Sequence, residues 1–273
     1  SVSGIRAVRS VLGAAMPMVA VFDTSFHRTL PEHASMYAIP HELATKHQIR
    51  RYGFHGLAHQ YSLLRYGELS GRAQEQTHAV TIHLGNGCSA CAIRGGQSVD
   101  TSMGFTPLEG LVMGTRSGDL DPAVVSYLAQ AESVDAAEVE DWLNKRSGLL
   151  GISQLSNDMR ELIAAYDANP RARLAVEVFC YRARKYLGAY LAVVGGADAV
   201  IFSGGIGENS PVVREKICTQ MEWCGLKLDN SANSKTIGRD GRISTSDSKL
   251  NAFVVHTDEE LIIARETARL VVT

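Results

Sequence analysis

The chain has 273 residues, of which 45% are hydrophobic and 21% charged, enough apolar material for the core of one large or two modest domains. Its 27 basic residues nearly balance its 29 acidic ones, and the net charge of −2 gives no reason to expect a nucleic-acid partner or an anionic membrane surface. Every apolar run is also shorter than the ~20 residues that a membrane span requires, so we expect no membrane partner.

Strand-like and helix-like patterns alternate along the chain, which predicts an α/β fold. Strands are predicted at residues 18–22, 80–84, 88–93, 199–202 and 252–255. Helices are predicted at residues 122–127, 171–194, 211–220 and 258–271. The Gly-Asn-Gly sequence at residues 85–87 separates two strands and therefore predicts a hairpin.

The five cysteines are an odd number in a large chain, which is not typical of a secreted disulfide framework. Cys88 and Cys91 have the spacing of a redox or zinc motif, but residues three apart in a strand face opposite sides. We therefore expect buried, reduced thiols without a metal, and a reducing, cytoplasmic location.

Residues 203–210 (SGGIGENS) form a glycine-rich turn between a predicted strand and a predicted helix. Glycines let a ligand approach the backbone, and a helix N-terminus offers free N–H groups to phosphate oxygens. Gly205 and Gly207, with Asp229 about 20 residues further on, could belong to a dinucleotide fingerprint, although Ser210 occupies its third glycine position. A tight turn without a ligand is the alternative.

Four other segments place polar side chains among glycines or at a strand end. Residues 83–87 (HLGNG) could offer backbone N–H groups to phosphate, or could be an ordinary hairpin turn. Arg116 lies between glycines, where a guanidinium can fork onto phosphate or carboxylate oxygens, or could be a surface arginine. His55 lies in a predicted active-site loop. Asp23 follows a predicted strand, where open α/β sheets carry polar working groups, or could be a turn or cap aspartate.

Together and in this order, these segments resemble the acetate kinase family, within the acetate and sugar kinase/heat-shock/actin superfamily. The resemblance runs nearly end to end and displaces the dinucleotide interpretation. It is carried by residues 22–27 (FDTSFH), 53–56 (GFHG), 83–87 (HLGNG), 104–110 (GFTPLEG), 114–119 (GTRSGD), 157–160 (NDMR), 204–209 (GGIGEN) and 257–260 (TDEE).

The resemblance implies reversible phosphoryl transfer from ATP to acetate, giving acetyl phosphate and ADP, with Mg²⁺ or Mn²⁺ as cofactor. Asp23, His55 and Arg116 would be catalytic, the last two stabilising the phosphoryl group in flight. Glu259 would take part in the metal site, and Phe54 and Pro107 would surround the acyl methyl group. The implied nucleotide-binding residues are His83, Leu84, Gly85, Asn86, Gly87, Asp158, Met159, Arg160, Gly205, Ile206, Gly207, Glu208 and Asn209.

The implied fold is a ribonuclease H-like (actin-like ATPase) domain with a mixed sheet, plus a remnant of a second lobe. Residues 1–24 would be the remnant of the N-terminal lobe, residues 25–259 the C-terminal nucleotide-binding domain, and residues 260–273 a helix packing on the N-terminal lobe. The chain is expected to begin inside the family's N-terminal domain. A homodimer is implied as well.

Two functional alternatives stay open. One is a propionate or butyrate kinase, because one methylene in a pocket is worth only ~1–3 kcal/mol. The other is a nucleotide-binding but inactive fragment or module. In either kinase the acceptor carboxylate, with a pKa of ~4, is already ionised at pH 7 and needs no general base. We therefore expect Asp23 to orient Arg116 or a Mg²⁺-bound water.

Overall fold

The computed structural model of the chain describes residues 2–13 and 15–271; Ser1, Ala14 and residues 272–273, which belong to the predicted segments 1–24 and 260–273, lie outside the described residues. The strands are β1 (Ala79–Leu84), β2 (Cys88–Arg94), β3 (Gln97–Thr101), β4 (Ala199–Ser203), β5 (Gly241–Arg242) and β6 (Asn251–Val254). The α-helices are α1 (Val2–Leu12), α2 (Glu32–Ser35), α3 (His41–His47), α4 (Gly56–Ser70), α5 (Ala123–Ala131), α6 (Ala136–Lys145), α7 (Gly148–Ser153), α8 (Met159–Ala164), α9 (Pro170–Val194), α10 (Gly204–Asn209), α11 (Pro211–Cys218), α12 (Asn230–Lys235) and α13 (Glu259–Val271). Short 3₁₀ turns occur at Ser25–Thr29, Gln74–Gln76 and Glu222–Cys224.

The six strands form one mixed sheet in the order β3-β2-β1-β4-β6-β5. Strands β1, β2 and β3 pair antiparallel, and the predicted hairpin is confirmed because Leu84 lies opposite Cys88. Strands β1, β4 and β6 run parallel to one another, and β5 is antiparallel to β6. The predicted α/β class with a mixed sheet is therefore confirmed.

Helices cover both faces of this sheet. On one face, Val80, Ile82 and Phe202 pack into a core with α9. On the other face, Ile93 and Ile201 pack against α4 and the buried Ile262 of α13. Because strand side chains alternate between faces, Cys88 joins the first core and Cys91 the second, as predicted. Burial raises the pKa of both thiols to about 12, so both stay protonated.

The long helix α9 lies where the sequence predicts it, with a capping residue at each end. Asn169 Oδ1 accepts hydrogen bonds from the N–H groups of Arg171 and Ala172, with Pro170 in the first turn. At the other end Gly195 adopts a φ of 76°, a left-handed conformation that favours glycine. Within the described ranges, neither this helix nor any other is long and apolar enough to cross a membrane.

The strand predicted at residues 18–22 is wrong. These residues have no regular secondary structure, since a strand needs a hydrogen-bonding partner and the described part of the chain offers them none. Val19 and Phe22 instead line a cavity of about 530 Å³ together with Glu266 and Leu270 of α13. The segment before Asp23 therefore lies beside the C-terminal helix.

The glycine-rich segment after β4 also differs from the predicted loop. Residues Gly204–Asn209 are helical as α10, and β4 runs directly into it. The turn needs glycine at Gly204, whose φ is 78° and whose Cβ would lie 2.7 Å from the carbonyl oxygen of Leu84. Asp229, the acidic residue of the displaced dinucleotide interpretation, caps α12 by accepting a hydrogen bond from Ala232 N at 2.9 Å.

Candidate active site

The candidate site lies at the carboxyl ends of β1 and β4, which end side by side because His83 is in register with Ser203. The β1–β2 turn and α10 follow these two strand ends directly. Helix α8 closes the third side, with Asp158 Oδ1 capping it through Arg160 N at 2.8 Å. These three elements surround a cavity of about 610 Å³, a size typical of small-molecule sites.

This cavity brings together parts of all three predicted nucleotide-binding segments. It is lined by Gly85, Asn86, Asp158, Met159, Arg160, Ile163, Gly205, Ile206, Asn209, Ser210, Pro211 and Val212. Sequence patterns did not single out Ile163, Pro211 and Val212 for this role. Ile163 could have been found from its helical spacing of four from Met159, and the other two from their position directly after the glycine-rich segment. The lining thus combines apolar and polar side chains, which suits a nucleoside.

His55 lies just before α4 in a conformation unusual for histidine. Its φ is 56°, in the left-handed region, and Asp23 stabilises it there. Asp23 Oδ2 accepts a hydrogen bond from His55 N at 2.6 Å, Asp23 Oδ1 one from Leu57 N at 3.3 Å, and the Asp23 carbonyl one from Gly56 N at 2.9 Å. The Asp23 carboxylate is thus a cap for α4 and contacts the backbone of His55.

The side chains of His55 and Arg116 converge on the β1–β2 turn. A Cβ at Gly87 would lie 3.3 Å from His55 Nε2 and 3.4 Å from Arg116 Nη1. Arg116 Nη1 also donates to the carbonyl oxygen of Pro107 at 3.3 Å, which brings the predicted acyl-pocket residue to the same point. Burial lowers the pKa of His55, the Asp23 carboxylate opposes that shift, and the Arg116 cation adds to it. Gly87 thus lies beside a neutral imidazole and a cation.

Three of the predicted nucleotide residues, His83, Leu84 and Glu208, are not among those that line this cavity. His83 Nδ1 lies 3.2 Å from Ser203 Oγ, and burial lowers the pKa of the His83 ring to about 3. The side chain of Leu84 is buried in the core. The carboxylate of Glu208 accepts hydrogen bonds from Gly204 N at 3.0 Å and from Thr257 N at 3.0 Å. Any nucleotide contact of Leu84 and Glu208 would therefore come from their backbones, whereas the partly exposed His83 ring has its Nε2 3.9 Å from a Cβ placed on Gly85.

Glu259 lies at the first turn of α13, close enough to Asp23 for their charges to interact. Burial, and then the negative charge of Asp23, raise the pKa of Glu259. A hard divalent cation prefers oxygen ligands, and its charge would offset the repulsion that Glu259 experiences from Asp23. Across residues 2–13 and 15–271 no three His, Cys, Asp or Glu side chains are grouped as a metal site, so such an ion would complete its shell with water and phosphate oxygens.

Phe54 and Pro107, the predicted acyl-pocket residues, belong to two different loops: Phe54 directly precedes His55, and the Pro107 carbonyl contacts Arg116. The ring of Phe54 is half-buried against the core beside α9, and its carbonyl oxygen lies 3.1 Å from His27 Nε2. Gly53 precedes it with a φ of 75°, and a Cβ there would come within 2.5 Å of the His27 ring. The loop that carries Phe54 and His55 therefore requires a glycine at this position.

The chain is similar to known proteins over nearly its whole length. The model of the acetokinase family matches residues 1–265. An acetate kinase of Solibacter usitatus is 56% identical over 99% of this chain and 66% of its own length. The crystal structure of Porphyromonas gingivalis acetate kinase superposes with a TM-score of 0.95 at 45% identity, over 98% of this chain and 67% of that one. A propionate kinase from Francisella tularensis subsp. tularensis gives 0.90 at 41% identity, over 97% of this chain and 67% of that one.

The chain spans about two thirds of the length of the curated relatives it matches, 66% in the first two. A family match over residues 1–265, together with more than 50% identity to these two acetate kinases over 99% of the chain, establishes the relationship. The chain belongs to the acetokinase family.

Proposed function

We propose that this chain carries the nucleotide-binding and phosphoryl-transfer machinery of an acetate kinase, which reversibly converts ATP and acetate to ADP and acetyl phosphate. The observation that carries the proposal is the convergence of His55 Nε2 and Arg116 Nη1 at Gly87. That point adjoins Gly85 and Asn86, which line the 610 Å³ cavity. A nucleotide in the cavity would direct its terminal phosphate to this point, where a neutral donor and a cation meet.

Phosphoryl transfer requires in-line positioning and stabilisation of charge on the equatorial oxygens, and little covalent help. Arg116 would supply a permanent cation to those oxygens. His55, kept neutral by burial, would donate a hydrogen bond from Nε2. Acetate attacks as an already ionised carboxylate, so none of these residues has to remove a proton. Phe54 and Pro107 would enclose the methyl group of the acceptor.

Mg²⁺, or Mn²⁺, is the proposed cofactor. Glu259 would hold the ion, and Asp23 would hold one of its water ligands. When bound, the ion would neutralise charge on the nucleotide phosphates. The raised pKa of Glu259 beside Asp23 supports this assignment, because a nearby cation would favour the charged form of both carboxylates.

Propionate kinase activity is the second candidate. It is favoured by the likeness to the Francisella tularensis propionate kinase, whose TM-score of 0.90 is close to that of the acetate kinase structure. One extra methylene in the acyl pocket changes the free energy of binding by only ~1–3 kcal/mol. The ratio of kcat/KM for acetate, propionate and butyrate would rank the acceptors.

The proposed domains are those implied by the family resemblance. Residues 25–259 would form a ribonuclease H-like nucleotide-binding domain, supported by the mixed sheet. Residues 1–24 and 260–273 would belong to the second lobe. None of the residues of α1 is buried, and residues 19–22 do not join the sheet, which supports placing residues 1–24 outside that domain.

A homodimer and a reducing, cytoplasmic setting complete the proposal. Tyr181 on α9 and Trp223 are 62% and 74% exposed and line one surface depression, as expected of an interface between subunits. Light scattering should report a dimer that Trp223→Glu weakens, whereas Tyr127→Glu, at an exposed aromatic residue of α5, should not. The five free cysteines support the reducing setting.

The decisive assay is acetyl phosphate formation by the 273-residue chain from ATP, Mg²⁺ and acetate, detected by trapping as the hydroxamate. Turnover is the expected result. ADP binding without turnover would favour the inactive nucleotide-binding module instead. A chain that shows no turnover and does not bind ADP would contradict the proposed roles of the cavity segments.

A further inference from the structure

A continuous row of hydrogen bonds leads from the sheet interior to His55. Thr81 Oγ1 lies 2.8 Å from His59 Nδ1, His59 Nε2 lies 2.8 Å from Ser89 Oγ, and Ser89 Oγ lies 2.9 Å from His55 Nδ1. Thr81, Ser89 and His59 are all completely buried. Each supports the next, and the second ring nitrogen of His55, Nε2, lies at Gly87.

Which group donates in each of these hydrogen bonds follows from Thr81, the residue at the end of the row furthest from His55. Within the described ranges, Thr81 Oγ1 has one hydrogen-bond partner, His59 Nδ1. A buried hydroxyl whose hydrogen found no acceptor would cost about 1–3 kcal/mol. The Thr81 hydroxyl therefore donates to His59 Nδ1. Burial lowers the pKa of His59 well below its usual range, so the ring is neutral and carries its single hydrogen on Nε2.

The same reasoning then fixes the role of Ser89. Its oxygen accepts the hydrogen on His59 Nε2, and its own hydrogen is left for His55 Nδ1. A neutral His55 that accepts at Nδ1 must carry its hydrogen on Nε2, the atom that lies 3.3 Å from a Cβ placed on Gly87. The row thus determines which nitrogen of His55 presents a hydrogen to the space beside Gly87.

We propose that Ser89 is a positioning residue which, supported by His59 and Thr81, holds His55 in its Nε2–H tautomer with that N–H directed at the transferred phosphoryl group. The catalytic consequence rests on the proposed kinase function, whereas the tautomer itself does not. Ser89 touches no substrate in this arrangement. It acts through His55, in the way that an outer hydrogen-bond partner orients a metal-ligating histidine.

The test combines a spectroscopic and a kinetic measurement on the full chain. In ¹⁵N-histidine-labelled protein without substrate, the long-range ¹H–¹⁵N correlations distinguish the two tautomers, and the His55 signals are assigned by their loss in His55→Gln. Ser89→Ala removes the donor to Nδ1, and Ser89→Thr restores a hydroxyl. Ser62→Ala is the matched control, since Ser62 is a buried serine whose hydroxyl bonds only within α4, to the Ala58 carbonyl.

Wild-type protein and Ser62→Ala should give the Nε2–H pattern, and Ser89→Ala should give a mixture of tautomers. In the kinase assay Ser89→Ala should lower kcat about tenfold or more with KM for ATP unchanged, because the donor is misdirected while the cavity is intact. Ser89→Thr should recover most of kcat. If Ser89→Ala fails to fold, Thr81→Val, which removes the first donor with little change of shape, should give the same mixture of tautomers.

An Nδ1–H pattern in the wild type would overturn the proposal, as would a Ser89→Ala protein with the wild-type pattern and kcat. A wild-type chain with the Nε2–H pattern but no turnover would contradict the proposed kinase function and leave the tautomer assignment standing. The two failures are therefore distinguishable.

Discussion

The carboxylate of Asp23 accepts a hydrogen bond from the backbone N–H of His55 at 2.6 Å and so caps α4 while fixing a proposed catalytic residue. His55 has a φ of 56°, a conformation that a histidine keeps only where its surroundings impose it. The same carboxylate interacts with the charge of Glu259. One side chain thus serves both the backbone geometry and the electrostatics of the site.

Substitutions at Asp23 should separate these two roles. Asn keeps one acceptor oxygen, which can retain the hydrogen bond from His55 N but loses the one from Leu57 N. Asp23→Asn should therefore lower the free energy of unfolding less than Asp23→Ala, which should lower it by about 1 kcal/mol. Both variants should lower kcat, because both remove the negative charge. Urea denaturation and acetyl phosphate formation at saturating Mg²⁺ measure the two effects, and full turnover in Asp23→Asn would rule out the role of the charge.

A methyl group at Gly87 should block the reaction centre without unfolding the chain. It would lie 3.3 Å from His55 Nε2 and 3.4 Å from Arg116 Nη1, in the space proposed for the phosphoryl group. Gly87→Ala should lower kcat about 10²-fold, the usual effect of a misplacement near 1 Å. Gly4→Ala, where nothing lies within 4 Å, is the control and should keep wild-type turnover. Equal kcat in the two variants would place the chemistry elsewhere.

Arg116→Lys should reduce the rate more than the affinity. In the structure the planar guanidinium of Arg116 donates to the Pro107 carbonyl and lies beside His55. A lysine keeps the charge but cannot reproduce the two parallel N–H donors of that group. Steady-state kinetics should show a lower kcat with KM for ATP within about twofold of the wild type, the pattern of an interaction made in the transition state. An unchanged kcat would contradict the proposed role.

Arg214 should be essential for the stability of the segment that carries α10. This buried guanidinium donates to the carbonyl oxygens of Gly207 at 2.7 Å, Glu208 at 2.9 Å and Thr236 at 2.7 Å. Arg214→Met leaves these acceptors unpaired and should lower the free energy of unfolding by about 3 kcal/mol or more. Arg65→Met, at a partly exposed arginine with two ion pairs, should cost less than about 1 kcal/mol in the same urea titration. Similar losses of unfolding free energy in the two variants would show that the buried hydrogen bonds of Arg214 stabilise the fold no more than the surface ion pairs of Arg65.

The buried histidines should make the protein sensitive to mild acid. Burial is the main reason that the pKa of His27 falls from 6.5 to about 4. The unfolded chain binds a proton at this ring below about pH 6.5, whereas the folded chain does not until about pH 4. The contribution of His27 to the free energy of unfolding is therefore fully present above pH 6.5 and is lost as the pH falls towards 4. Between pH 7 and pH 5 this one group should cost about 2 kcal/mol.

Urea denaturation at the two pH values checks this. His27→Gln should lose less stability on acidification than the wild type, by about 2 kcal/mol. His33→Gln, at an exposed histidine, should behave like the wild type. An identical pH dependence in all three proteins would mean that His27 is not kept neutral by the fold.

Local sequence patterns determined the positions of most of the sheet strands, of several helices and of the site motifs. The strands at residues 79–84, 88–94, 199–203 and 251–254 and the helices α9, α11 and α13 follow from apolar periodicity and from nearby glycines, prolines and caps. These signals act over a few residues, so they can be recognised without the rest of the fold. The motifs around His55, Arg116 and Gly205 were likewise visible as short runs of unusual composition.

Only the tertiary structure decided what these pieces do together. The apolar run at residues 18–22 is not a strand, because a β-ladder depends on a distant partner that its own sequence does not specify. Asp23 caps α4 by accepting a hydrogen bond from its N-cap residue His55, which lies 32 residues further along the chain. Ser89 lies between His55 and His59 because the hairpin places β2 beside the N-terminal part of α4. Hydrogen-bond partners far apart in sequence are set by sheet register and helix packing, so their pairing cannot be read from local periodicity.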